Sequence, residues 1–86
     1  MFLIAWSDEA FESIHRLVLQ YPGRRTDFAA SLKQADRMLS TDPIGSSESR
    51  EGRYRICIVS PLTLFFTVDF EDDTVEITDV IFNLRF

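Results

Sequence analysis

Apolar residues recur at helical spacing through the first half of the chain and at alternate positions through the second. Phe2 to Trp6 is a short apolar run that predicts a strand, apolar on both faces. Ser7-Asp8-Glu9 then has the chemistry of a helix start: a hydroxyl to accept from an orphan N–H, and acids that suit the positive end of the dipole. Ala10, Phe11, Ile14, Leu17 and Val18 form the helical stripe that follows. Tyr21-Pro22-Gly23 ends it, because Pro disfavours helical geometry before it and Gly permits the turn. A second helix begins within residues 24–27 and reaches about Leu39, with Phe28, Leu32, Ala35 and Leu39 on one face. The short link makes the pair an antiparallel hairpin.

Ser40-Thr41-Asp42-Pro43 stops the second helix, and residues 44–52 are small, polar and charged, which predicts a surface loop. Three strands follow. Residues 53–59 alternate Tyr54, Ile56 and Ile58 against Arg53, Arg55 and Cys57. Residues 62–70 alternate Leu62, Leu64, Phe66 and Val68 against Thr63, Phe65, Thr67 and Asp69. After an acidic turn at Glu71-Asp72-Asp73, the last strand runs from Thr74 to about Leu84. Its apolar phase passes from Val75 and Ile77 to Val80 and Phe82, so either a bulge near Asp79 or burial on both faces is expected. The order β-α-α-β-β-β predicts an α+β fold, an antiparallel sheet packed against an α-helical hairpin.

The 86 residues suffice for one domain spanning 1–86, and the charged share of 27% is that of a soluble globular chain. No apolar run reaches membrane-spanning length, and the N-terminus lacks the basic flank and cleavage site of a secretory signal, so a cytoplasmic protein is expected. The single Cys57 and single His15 exclude a disulfide and a multi-histidine or thiolate metal centre, and no metal or cofactor is expected. Cys57 reads as a small buried hydrophobe and His15 as a helix-flank residue. The acids from Asp69 to Asp79 lack the glycine and closing glutamate of a calcium loop, and read as a solvated hairpin tip.

Net charge is −5. Nonspecific nucleic-acid binding by the whole chain is therefore disfavoured. The cations are nearly all arginine, and Arg50, Arg53 and Arg55 crowd one short stretch. Their planar forks suit a phosphate or an acidic partner. Phe65 stands opposite the apolar phase of its strand, and Phe82, Leu84 and Phe86 close the chain at alternate positions. A helical hairpin covers only one sheet face, so these aromatics are expected to meet a second chain, either a partner protein or another copy; the alternative is that the first strand and the C-terminus pack back onto the core.

Taken in order, these segments resemble the RelE/ParE superfamily of bacterial toxins from type II toxin–antitoxin systems. Ala5-Trp6-Ser7 with Ala10 opens the first helix, and Leu39-Ser40-Thr41-Asp42-Pro43 is similar to an L-x-x-x-P helix ending. The stretch from Gly45 through Ser49-Arg50-Glu51-Gly52 to Arg53-Tyr54-Arg55 is close to G-x-x-S-R-E-G-x-x-R. Phe66-Thr67-Val68-Asp69, a turn, then Val75-Glu76-Ile77 and Val80 follow Y-x-V-D, turn, V-x-I-x-x-V.

The resemblance implies growth inhibition through the ribosome and its mRNA or through DNA gyrase, with neutralisation by a cognate antitoxin. Metal-free RNA cleavage needs cations around the scissile phosphate. At the positions where RelE-like nucleases carry them, this chain offers Arg55, Cys57, Thr63 and Asn83, with Arg85 two residues later and no C-terminal tyrosine. The resemblance thus implies a toxin that acts by binding. Arg50, Arg53, Arg55 and Arg85 are the candidates for target contact, and Phe65, Phe82 and Phe86 for antitoxin contact. The alternatives are a weak ribosome-dependent endoribonuclease using Arg53, Arg55 and Arg85, or a degenerate, non-toxic interaction module of the same fold.

Overall fold

A computed structural model describes residues 1–83. Leu84, Arg85 and Phe86, and with them two of the candidate site residues, lie outside the described residues. Strand β1 (Leu3–Trp6) leads directly into α1 (Asp8–Gln20). The Ser7 side chain accepts from the Ala10 amide at 3.1 Å and so caps the helix, as its sequence predicts. The Pro22–Arg24 turn is a single 3₁₀ turn, and α2 (Arg25–Thr41) returns antiparallel to α1. The remaining elements are β2 (Glu48–Ser49), β3 (Arg55–Val59), β4 (Leu62–Asp69) and β5 (Thr74–Phe82).

The sheet order is β1-β5-β4-β3-β2. β2 to β5 are antiparallel neighbours, but β1 joins β5 in parallel, so the sheet is mixed rather than wholly antiparallel. The connection is long enough to permit parallel pairing: the helical hairpin and three strands intervene before β5 arrives beside β1. The segment 44–52, expected as pure loop, contributes β2, whose two residues are exposed and pair Glu48 with Ile56 and Ser49 with Arg55. Of the two explanations for the phase shift in β5, the bulge is the one present: Phe65 pairs with Asp79 but Phe66 with Ile77, leaving Thr78 as the extra residue.

One sheet face packs on the helices. Its core comprises Cys57, Val59, Leu62, Leu64, Phe66, Val75, Ile77 and Val80, closed by Ala10, Phe28, Ala35 and Leu39 from the helices. The phase of β3 is therefore set by Cys57 and Val59. Tyr54, Ile56 and Ile58, the more apolar set in the sequence, occupy the opposite face. Ser31 is buried among the apolar residues of α2 and donates to the Ser60 carbonyl at 2.9 Å, which ties α2 to the β3–β4 turn. Phe11, part of the predicted stripe, is exposed and lies edge-on to Trp6 at 6.0 Å between ring centroids.

Candidate functional site

The arginine-rich stretch forms the arm that carries β2 into β3. The Arg50 amide donates to the Tyr54 carbonyl at 2.8 Å, closing the turn. Gly52 takes φ +67° there, a left-handed geometry that a side chain would strain. The turn holds Arg50 and Arg53 exposed at its tip. The ion pairs among the described residues, Arg16–Glu12 and Arg24–Asp27, involve neither of them. Both guanidinium groups are exposed on one short turn, and that of Arg50 donates to the Ser49 carbonyl at 3.1 Å.

Arg55 differs. Its Nε donates to Ser47 Oγ at 2.7 Å and one terminal nitrogen to Ser49 Oγ at 3.3 Å. The other terminal nitrogen reaches the carbonyls of Ile44 and Ser47, each at 3.4 Å. The fork thus clasps the 44–49 segment and is half-buried. Asp42 supports the same segment, with its carboxylate accepting from the Gly45 amide at 2.9 Å. A Cβ at Gly45 would meet that carboxylate, so any larger residue there displaces the Asp42 side chain from its bond to the amide.

The other positions where the resemblance would place cations carry none. Cys57 is buried on the helix-facing side, and burial raises its thiol pKa above the ordinary value, so the thiolate is disfavoured. Thr63 is buried, and its hydroxyl donates to Asn83 Oδ1 at 2.9 Å. That bond joins the two positions into one neutral pair. No group of three metal-ligating side chains occurs among the described residues.

The candidate aromatics separate. Phe65 is half-buried on the open face, opposite Ile56 and Asp79. Phe82 points to the helices, where Tyr21 and Phe28 meet its ring edge-on at 4.8 and 5.2 Å and the Arg24 guanidinium lies over it at 5.4 Å. It remains half-buried. On the far side of the helical hairpin an apolar groove runs between α1 and α2, lined by Ile14, Val18, Ala29 and Leu32 and continuing to Trp6 and Phe11.

Sequence reasoning missed a polar cleft of about 680 Å³ where the start of α1 meets β5. Glu9, Glu12, Arg16, Tyr54, Glu76 and Asp79 line it. Asp79 is held there by Ser13, whose hydroxyl donates at 2.7 Å. Those two residues are 66 positions apart, and neither carries a local signal of the other.

The architecture defines a class by itself: a helical hairpin on one face of a five-stranded mixed sheet whose first strand is parallel to its last. A chain of the RelBE2 toxin–antitoxin complex from Mycobacterium tuberculosis has this fold, with a TM-score of 0.76 and 19% identity over 94% of this chain and 96% of that one. The conserved hypothetical protein HP0894 from Helicobacter pylori is also similar, with a TM-score of 0.60 and 18% identity over 93% and 92% of the two chains. The fold of this chain is thus shared with both structures. No family model and no curated protein matches the sequence.

Proposed function

We propose that this chain is the toxin-type component of a type II toxin–antitoxin module and that it acts by binding its target rather than by cutting RNA efficiently. The observation that carries this reading is the whole-chain likeness to a component of the RelBE2 toxin–antitoxin complex. The neutral Thr63–Asn83 pair and the buried Cys57 support binding over cleavage, because no cation stands at those positions to stabilise charge developing on a phosphate. Arg50 and Arg53, exposed and outside the ion pairs of the described residues, make the target contact, on the ribosome or on gyrase. Arg55 acts by holding their arm, and Arg85 is a further candidate from sequence. A cognate antitoxin covers apolar surface: Phe65, the free part of Phe82, Phe86, and the groove between α1 and α2.

Tightly induced expression in a bacterial host tests this. The expected result is growth arrest that the neighbouring small gene relieves and that R50E/R53E abolishes while the purified variant stays folded. Blocked translation then assigns the ribosome, and blocked replication assigns gyrase. Message cut at A-site codons in a translation extract would replace binding with cleavage. Soluble expression without arrest would favour the non-toxic interaction module, which the missing cations also fit.

A further inference from the structure

The sheet face opposite the helices has a composition unsuited to nucleic acid. Ile58, Thr63 and Ile81 align in one row across β3, β4 and β5, and Ile56, Phe65 and Asp79 in the next. Ile58 is 56% exposed and Ile81 44%. Tyr54, two residues before Ile56 on the same strand face, is 48% exposed and lines the polar cleft beside α1. The open face therefore runs from an aliphatic strip, past an aromatic ring, into a cleft bounded by Glu9, Glu12, Glu76 and Asp79. Arg16, the one cation among the described residues that line the cleft, lies 3.8 Å from Glu12 and is offset by it.

A polyanion brought to this face meets carboxylates that repel it and aliphatic groups that give it no hydrogen bonds. A cation-bearing protein segment meets complementary charge and an apolar anchor together. We infer that the open sheet face is a docking surface for a basic amphipathic protein segment, its aliphatic residues against Ile58, Phe65 and Ile81 and its arginines or lysines in the cleft beside Tyr54. The assignment rests on the face's own shape and charge, and holds whether or not the chain arrests growth. The exposed arginines at the arm tip remain outside it, so an acidic or phosphate-bearing contact there and a basic segment here can coexist.

The probe is a short synthetic peptide that alternates arginine with isoleucine, titrated into the isotopically labelled protein and followed by amide and methyl NMR shifts. Saturable binding is expected, with the largest shifts at Tyr54, Ile58, Glu76 and Ile81 and with weakening as salt is added. The double variant I58S/E76K, both sites exposed, is expected to bind at least about tenfold more weakly while its thermal melt stays close to the parent's. D72K at the acidic hairpin tip is expected to leave binding unchanged. The inference is overturned if the peptide fails to saturate, or if its shifts fall on the hairpin tip or on the groove between α1 and α2. It is overturned equally if a peptide with glutamate in place of arginine binds as well, or if an RNA oligonucleotide displaces the basic peptide from this face.

Discussion

The Thr63 hydroxyl donates to Asn83 Oδ1 across 2.9 Å, tying the start of β4 to the residue that follows β5. Thr63 is buried, so loss of either partner leaves a polar atom short of a bond in a place water reaches poorly. T63V and N83A are each expected to cost about 1 kcal/mol, and the double variant less than the sum, with a coupling of about 1 kcal/mol. Urea denaturation of the four proteins measures the cycle. Additive losses would show that the bond contributes nothing.

Arg55 makes four hydrogen bonds to the 44–49 segment from one planar group. R55A is expected to lower stability by about 1–3 kcal/mol and to speed amide exchange across that segment. R55K keeps the charge but cannot reproduce the fork, so it is expected to behave more like R55A than like the parent. Hydrogen exchange at Ser46, Ser47 and Glu48 reads both variants. Rescue by lysine would show that charge, not the fork, does the holding.

Burial raises the Cys57 thiol pKa in the folded chain, so the folded state keeps its proton to higher pH than the unfolded state does. Unfolding therefore releases protons once pH passes the free thiol's range near about 8.5, and stability falls as pH rises beyond it. C57A removes this dependence. Between pH 7 and 10 the stability difference between parent and C57A should shift in favour of C57A, and thiol-specific reagents should label the native parent only as fast as it opens. Rapid labelling of native protein would contradict the burial.

Ser7 Oγ accepts from the Ala10 amide and also donates to the Thr78 carbonyl at 3.3 Å. S7A loses both and is expected to cost about 1 kcal/mol, a fall of roughly 4–8 °C in Tm for a domain of this size. S7D keeps the acceptor but not the donor, and should recover only part of the loss. Thermal unfolding by circular dichroism decides it.

How far the sequence was legible depended on how far apart the interacting residues lie. Ser7 and the amide it caps are three positions apart, and that start was readable directly. The break in the apolar phase of β5 between Ile77 and Val80 was readable, but the choice between a bulge and burial on both faces needed the pairing with β4. The phase of β3 was not, since Tyr54, Ile56 and Ile58 outrank Arg55, Cys57 and Val59 in hydrophobicity. What seats Cys57 inward is its pairing with Leu64 and the packing of α2, neither of which is local. β2 escaped notice because its two exposed residues have no pattern of their own and depend on β3 for partners.

The candidate site divides the same way. That Arg50, Arg53 and Arg55 belong together was plain from their spacing. That Arg55 faces back to Ser47 and Ser49 while the other two stay exposed required the turn at Gly52. The apolar end of the chain suggested a partner surface, yet the Phe82 ring already meets Tyr21, Phe28 and Arg24 from the helical hairpin. The cleft beside Tyr54 gave no sequence signal because its walls come from α1, β5 and the residue before β3.

The parallel pairing of β1 with β5 governs when the molecule can exist during its synthesis. Ser7 and Thr78, bonded to each other, are 71 residues apart. A nascent chain that has produced everything up to Asp73 still has no neighbour for Leu3–Trp6, and β4 lacks one whole edge of partners. Local helices can form early, but sheet and core close together, and only after residues 74–82 have emerged. Interrupted synthesis therefore leaves an open chain and not a partly working one.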